Sequence, residues 1–395
     1  MTSQDRSVTP ELIVDATAIL TTRSCGIGHY ALGIVKAFDE LASRGLLSYS
    51  LLAAKSALPY ADALGLHNRD RCIALHSLKK NLSHHILKRA LPVAMDRIMP
   101  AGAYYFPAFK MLPLRQRPSA VVIHDMAHVD TQGCVAQGNV AELAYTLPFA
   151  IAHAHSIITV SMFSKDRIAQ HFGIDPVRIV VAPPAVDRQC YRPMSLEDSR
   201  RIRESCGVHT DDFVLSVGNL EPRKNHANVI RAFAALPVEV TRKLSLVIIG
   251  ADGWQSDDIQ VAIARATAKG VRILRPTRFV ADNEMAAFYS AARFLAFLPL
   301  YEGFGMPPLE AYACGTPVLA SRAASVPEAA GECAVYVDDP LCQSEIRERM
   351  LDMLTFSQSR SPALAHQMTR HLSRFCWQRS AAVTINALTG TTIEA

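Results

Sequence analysis

Apolar residues in this chain come in short runs of four or five, rich in Val, Ile and Leu, with stretches of helical period between them. Such runs predict parallel strands buried on both faces, each joined to the next by a crossover helix. In the amino-terminal half, strands are predicted at residues 12–16, 50–54, 120–124, 156–160 and 178–182, with helices at 30–41, 140–154 and 164–172. The series begins afresh at 213–217 and continues at 246–249, 271–274, 294–298, 317–320 and 334–337. Its helices are predicted at 228–235, 259–269, 284–292 and 307–314. Two successive series predict an α/β chain of two doubly wound parallel-sheet domains facing across a cleft, the default ligand site of such folds. Between them, PPAVDRQCYRP at 183–193 reads as a stiffened connection.

Composition adds exclusions. A length of 395 residues suits two domains, and an apolar half with only 19% charged residues excludes disorder. No uninterrupted apolar stretch reaches the roughly 18 residues needed to span a bilayer. The start, MTSQDRSVTPEL, lacks the basic-then-apolar pattern of a signal peptide, so a cytoplasmic protein is expected. Nine cysteines, an odd number without a C-x-x-C pair, argue against a disulfide framework and a zinc ribbon. The net charge of +5 is unevenly spread: between Lys79 and Arg117 eight basic residues face the single acid Asp96. That region reads either as a patch for anionic membrane or phosphorylated substrate, or as an ordinary solvated face. No recognition motif accompanies it, so nucleic acid is not an expected partner.

The densest chemistry lies at 300–320, LYEGFGMPPLEAYACGTPVLA. Gly303 and Gly305 allow a turn after a strand, and Pro307 and Pro308 suit a first helical turn. The expected product is a helix start whose unpaired amides face a phosphate. Glu302 and Glu310 bracket the loop. Carboxylates repel a diphosphate but accept well from hydroxyls, and one carboxylate can take both hydroxyls of a vicinal diol. A ligand with phosphates in the middle and sugars at both ends has this shape: a nucleotide sugar.

Three further motifs follow predicted strands. VGNLEPRKN at 217–225 brings Arg223 and Lys224 to a strand end, where a planar fork and a point charge together would neutralise a departing diphosphate; Asn225 is expected to cap the next helix. SCGIGHY at 24–30 permits close backbone approach at Gly26 and Gly28, but it lacks the third glycine of a dinucleotide fingerprint, so NAD is rejected. VVIHD at 121–125 sets His124 at a strand end. With His128, His153 and His155 it raises a metal site, against which stand the strand-end position and the missing acidic cluster. Sugar contact by His124 is the preferred reading, with helix-end packing for His153 and His155.

Taken in order, GIGHY, VVIHD, TVSMFSKD, GNLEPRKN and YEGFGMPPLEAYACGTPVLAS resemble the blocks of the retaining glycosyltransferases of family 4, over residues 13–336. Within that family the chain is most similar to bacterial mannosyltransferases of O-antigen and exopolysaccharide assembly. The resemblance implies a GT-B fold of two Rossmann-like domains: an acceptor-side domain at 1–190, a nucleotide-sugar domain at 191–361, and a carboxy-terminal helix at 362–395 crossing back onto the first. It implies that Arg223 and Lys224 bind the donor diphosphate, Glu302 meets the transferred hexose and Glu310 holds the ribose. Gly303, Phe304 and Gly305 would meet sugar and phosphates, His124 the sugar hydroxyls, and Gly26 and Gly28 the diphosphate. Backbone at 276–280, PTRFV, including Phe279, would meet the base, although Arg278 stands where the family commonly has glycine and Ala185 replaces another.

The implied reaction moves a hexose with retention, chiefly mannose from GDP-mannose, to a lipid-linked or saccharide acceptor in surface polysaccharide synthesis. Glu302, His124, Arg223 and Lys224 would carry the chemistry without metal or other cofactor, with domain closure assembling the site. The enzyme would be cytoplasmic or peripheral at the inner membrane face. UDP-glucose, another UDP-hexose or a dTDP-deoxysugar are alternative donors. A glycosidase pairing Glu302 with Glu310 would leave Arg223 and Lys224 without a purpose. A catalytically silent nucleotide-sugar-binding subunit is the rival from outside enzymology.

Overall fold

A computed structural model describes residues 11–20, 26–67, 72–75, 95–131, 133–357 and 361–393. These divide into two compact units. One takes in the chain up to Met126, Gly138–Pro184 and Cys376 onward; the other is Ala127–Gln137 with Ala185–Phe375.

The first unit is built on seven strands: β1 (Glu11–Asp15), β2 (Ser48–Ala54), β3 (Cys72–Leu75), β4 (Ala103–Phe106), β5 (Ser119–Val122), β6 (Ser156–Thr159) and β7 (Ile179–Val181). They pair in parallel in the order β3-β2-β1-β4-β5-β6-β7, so the winding reverses between β1 and β4. The sequence reading did not predict β4, a four-residue AYYF whose Tyr104, Tyr105 and Phe106 are all buried at the centre of the sheet. Helix α1 (Gly26–Ser43) begins four residues before its predicted start. Gly26 and Gly28 therefore stand in its first turns, not in a loop ahead of it. Further along α1, a Cβ on Gly33 would lie 2.3 Å from the Trp377 ring, so a bare backbone is what lets the indole pack there. Helices α2 (Gln137–His153) and α3 (Met162–Phe172) follow β5 and β6. Ser161 caps α3 by accepting from the Ser164 amide at 3.0 Å, and Gly173, left-handed at φ 62°, ends it.

The second unit has six strands: β8 (Phe213–Val217), β9 (Ser245–Ile249), β10 (Ile273–Leu274), β11 (Leu295–Phe297), β12 (Val318–Ser321) and β13 (Val335–Val337). All pair in parallel in the order β10-β9-β8-β11-β12-β13, with the reversal between β8 and β11. The apolar runs sit almost wholly out of solvent, as strands covered on both faces should. Helices α4 (Leu196–Ser205), α5 (His226–Ala234), α6 (Asp257–Ala268), α7 (Asp282–Ala291), α8 (Pro307–Ala313) and α9 (Gln343–Ser357) cover it, α4 and α9 being additions to the predicted set. Beyond β8 and β9 the backbones nearly touch: a Cβ on Gly250 would fall 1.8 Å from the Gly218 carbonyl oxygen. That glycine keeps the loop after β8 low over the sheet.

The carboxy-terminal stretch is two helices where one was expected. α10 (Pro362–Leu372) stays with the second unit, where His371 Nε2–H donates to Ala329 O at 2.8 Å against the bare Cα of Gly331. α11 (Trp377–Thr389) joins the first, accepting Ser156 Oγ at Ala387 O and donating from Ser380 Oγ to Pro183 O, each at 2.6 Å. The break comes where Phe375 turns inward, stacking edge-on to Phe304 and His371. Among the described residues no helix is long and apolar enough to cross a membrane.

Candidate active site

In the second unit the two strands flanking the sheet's reversal, β8 and β11, release the two densest motifs from neighbouring carboxyl ends. Pro222–Lys224 forms one 3-10 turn after β8, closed by Asn225 in the left-handed region at φ 62°. Asn225 occupies the position before α5 but does not cap it with its side chain. Its amide nitrogen instead donates to Leu298 O at 2.9 Å and Pro340 O at 2.7 Å, tying this turn to the end of β11. His226 locks it from the other side: Nε2–H donates to Gly218 O at 3.0 Å and Nδ1 takes the Ser216 hydroxyl at 3.1 Å. Burial pushes this imidazole down to about 4, so it is neutral.

The turn thereby presents Arg223 and Lys224 to Glu302. Arg223 Nη1 donates to Glu302 Oε2 and to Tyr301 O, each at 2.9 Å, and Nη2 to Glu221 Oε1 at 2.8 Å; Lys224 Nζ donates to Glu302 Oε1. Burial of Glu302 opposes its ionisation, but Lys224 and Arg223 outweigh burial and hold its carboxyl below the usual range. Two acids and two bases cancel formally. Any anion bound here must compete with Glu302 for donors, and Lys224 uses only one of its three N–H groups on it. Glu302 is itself pinned: Ser325 Oγ donates to its carbonyl at 2.7 Å, and Tyr301 next to it donates to Asp130 Oδ2 at 2.9 Å.

The loop that follows departs from the expected helix start. Pro307 and Pro308 carry no N–H, and the amides of Leu309 and Glu310 are already satisfied by Met306 O at 2.9 and 3.2 Å. Open donors lie one step earlier. Among the described residues the backbone N–H groups of Phe304, Gly305 and Met306 have no hydrogen-bond partner within the protein. Gly305 is left-handed at φ 89°, where a Cβ would also meet the Phe297 ring at 3.0 Å. The buried Phe304 ring anchors the loop against Phe375.

Glu310 sits apart from the cationic pair, buried, with Oε2 accepting the Tyr289 hydroxyl at 2.6 Å. Desolvation, only partly offset by that phenol and by Tyr191, pushes its carboxyl up to about 7. Phe279 is largely exposed, whereas Arg278 beside it is turned away and clamped by Glu284 at 2.7 and 2.8 Å and by Ser205. In the first unit His124 follows β5. Its Nε2–H donates to Pro107 O at 2.7 Å, Tyr30 stands edge-on to its ring at 5.1 Å, and burial holds it below the ordinary histidine range. His153 stacks on Phe149 and His155 meets Ser119, both packing roles.

The structure thus brings Arg223, Lys224 and Glu302 together, with Gly303, Phe304 and Gly305 adjoining them in sequence. Sequence reading missed Glu221, Tyr289, Tyr191 and His226. A tyrosine inside an apolar helix gives one usable signal, since a buried hydroxyl requires a partner.

Residues 198–361 match the model of the family described as Glycosyl transferases group 1. The chain is 30% identical over 284 residues to O-antigen chain mannosyltransferase B of Escherichia coli, spanning 72% of this chain and 73% of that protein. The chain belongs to the group 1 glycosyl transferases. The serotype-specific mannosyltransferase WbdA of E. coli is 29% identical over 246 residues, which make up 60% of this chain but only 29% of that longer protein. Among solved structures, HepE from Anabaena, crystallised with UDP and glucose, superposes with a TM-score of 0.70 at 18% identity, covering 97% of this chain and all of HepE. WaaG, a glycosyltransferase of lipopolysaccharide biosynthesis, gives 0.67 at 15% identity over 96% of the chain. At those identities the likeness is one of fold, and it makes this glycosyl transferase a GT-B protein of two Rossmann-like domains.

Proposed function

We propose that the protein is a retaining family 4 mannosyltransferase that moves mannose from GDP-mannose to a lipid-linked or saccharide acceptor, without a metal. The observation that carries the reading is the cluster of Lys224, Arg223 and Glu302 followed by the open amides of Phe304, Gly305 and Met306. A diphosphate entering there would take the unused Lys224 N–H groups and the amides, compensating charge as the sugar leaves. Glu302 would then accept from the hexose and Glu310 from the ribose. In the transfer, the bond from the anomeric carbon to the diphosphate oxygen breaks and the acceptor oxygen bonds to that carbon on the same face. The acceptor proton goes to the departing phosphate. The E. coli mannosyltransferases support the choice of mannose.

The membrane-facing part of this reading rests on basic residues of which Lys79, Lys80, Lys88 and Arg89 lie outside the described residues. Of the rest, Lys110 pairs with Glu142 at 2.6 Å and Arg117 Nη2 bonds Asp96 O at 3.3 Å. A cytoplasmic enzyme meeting its acceptor at the inner membrane face is therefore proposed on the sequence pattern.

The test is turnover of purified protein on a panel of nucleotide sugars, with and without chelator. Hydrolysis or transfer of GDP-mannose that survives the chelator is expected, with a loss on the order of 100-fold to 1,000-fold in Lys224→Ala. Preference for a UDP-sugar would replace the donor, and activity lost to chelator but restored by a divalent cation would overturn the metal-free mechanism.

A further inference from the structure

We infer that Tyr289 is a positioning residue that holds the charged Glu310 carboxylate for the donor's ribose hydroxyls. The inference rests on the proposed role of Glu310 and deepens it.

The geometry begins with α7. Tyr289 is wholly buried, and its hydroxyl reaches across to α8 to give Glu310 Oε2 a hydrogen bond of 2.6 Å. Its own carbonyl accepts from Thr316 Oγ, so the residue is held at both ends. Tyr191 comes from the segment ahead of α4 and stands edge-on to Tyr289 at 6.1 Å, a second phenol close to Glu310. That segment is tied to α7 in turn, with the Met194 amide donating to Ser290 Oγ at 3.1 Å. The Tyr289 phenol can only donate to a carboxylate. One of its roughly four lone-pair positions is thereby filled, which restrains the plane in which the remainder can meet a vicinal diol.

The groups facing Glu310 are Tyr289 and Asp282 from α7, Tyr191 from the preceding segment, and Cys314 just beyond α8. None of them is a cation. Burial pushes Glu310 up to about 7, Asp282 adds to the rise, and the two phenols restrain it. The sign follows. Above that value the group is a carboxylate able to accept two hydroxyls; below it a proton occupies one acceptor position and donor binding weakens. Removing a phenol takes away stabilisation of the charged form and moves the midpoint upward.

The experiment is calorimetric titration of the full chain with GDP, 2′-deoxy-GDP and inorganic pyrophosphate, with the uridine nucleotides in parallel, from about pH 6 to about pH 9. Wild type, Tyr289→Phe and Glu310→Gln are compared, with Tyr191→Phe as the second phenol deletion should Tyr289→Phe fail to fold. If the midpoint rises by one unit, nucleoside diphosphate binding in Tyr289→Phe is about fivefold weaker at pH 7 and within about twofold of wild type at pH 9. Pyrophosphate affinity is unchanged, and the 2′-deoxy nucleotide shows a smaller effect. Rescue by alkali separates positioning from a structural defect, which higher pH would not repair. If neither nucleotide binds wild type, or Glu310→Gln binds like wild type, the ribose role of Glu310 fails and this inference with it. If Glu310→Gln weakens binding while Tyr289→Phe keeps wild-type affinity and midpoint, the positioning role alone is overturned.

Discussion

His226 is a neutral ring whose tautomer is set by its neighbours. The Gly218 carbonyl can only accept, so Nε2 carries the proton and Nδ1 receives the Ser216 hydroxyl. With a folded value of about 4 against 6.5 for the free side chain, the unfolded chain binds the proton first. Stability from this residue is therefore complete above pH 6.5 and lost as pH falls toward 4, by about 3 kcal/mol. Urea unfolding of wild type and His226→Gln at about pH 7 and about pH 4.5 should show a smaller decrease for the variant; equal decreases would refute the assignment. The same scale shows what sequence could and could not disclose about the site. Arg223, Lys224 and Glu302 were legible because charged residues at the ends of apolar strands have few structural reasons to be there. Tyr289 was not, because it lies in an apolar helical pattern and reads as core until its hydroxyl is seen to have a partner. Nor was His226, because it stands ahead of the helix expected at 228–235 with its partners two strand-end residues upstream, Ser216 and Gly218.

At the scale of elements, most parallel strands could be read from apolar β-branched runs, but β3 and β4, four residues each, and the helix boundaries near glycine could not. Gly26 and Gly28 look like loop residues and yet open α1, since neither has its φ in the left-handed region and α1 starts at the first of them. The division between α10 and α11 was hidden for a related reason. No glycine or proline marks the break, and just beyond the end of α10 Phe375 makes a tertiary ring contact with Phe304. Gly33 gives the sharpest test at this scale. A methyl group there would stand 2.3 Å from the Trp377 ring. Gly33→Ala should cost about 1–3 kcal/mol despite alanine's better helix propensity, and should change Trp377 fluorescence. A stabilised variant would mean that the indole moves aside freely.

The whole chain passes between its two units more than once, and its last helix belongs with the first unit although the preceding helix does not. α11 buries Ala381, Ile385 and Leu388 and packs against α1, β4 and β7. It therefore completes the core of a unit to which Arg223, Lys224, Glu302 and Glu310 do not belong. Ile385 has no exposed surface, and Ile385→Ala removes three carbons from that core, which costs about 2–5 kcal/mol. The loss should fall on one unit. Hydrogen exchange is expected to quicken in 26–43 and in β4, while β8 and β11 keep their protection and nucleoside diphosphate affinity stays at the wild-type value. If β8 loses protection in parallel with α1, the two sheets unfold as one cooperative body, and α11 stabilises the donor site as well as the unit it packs on.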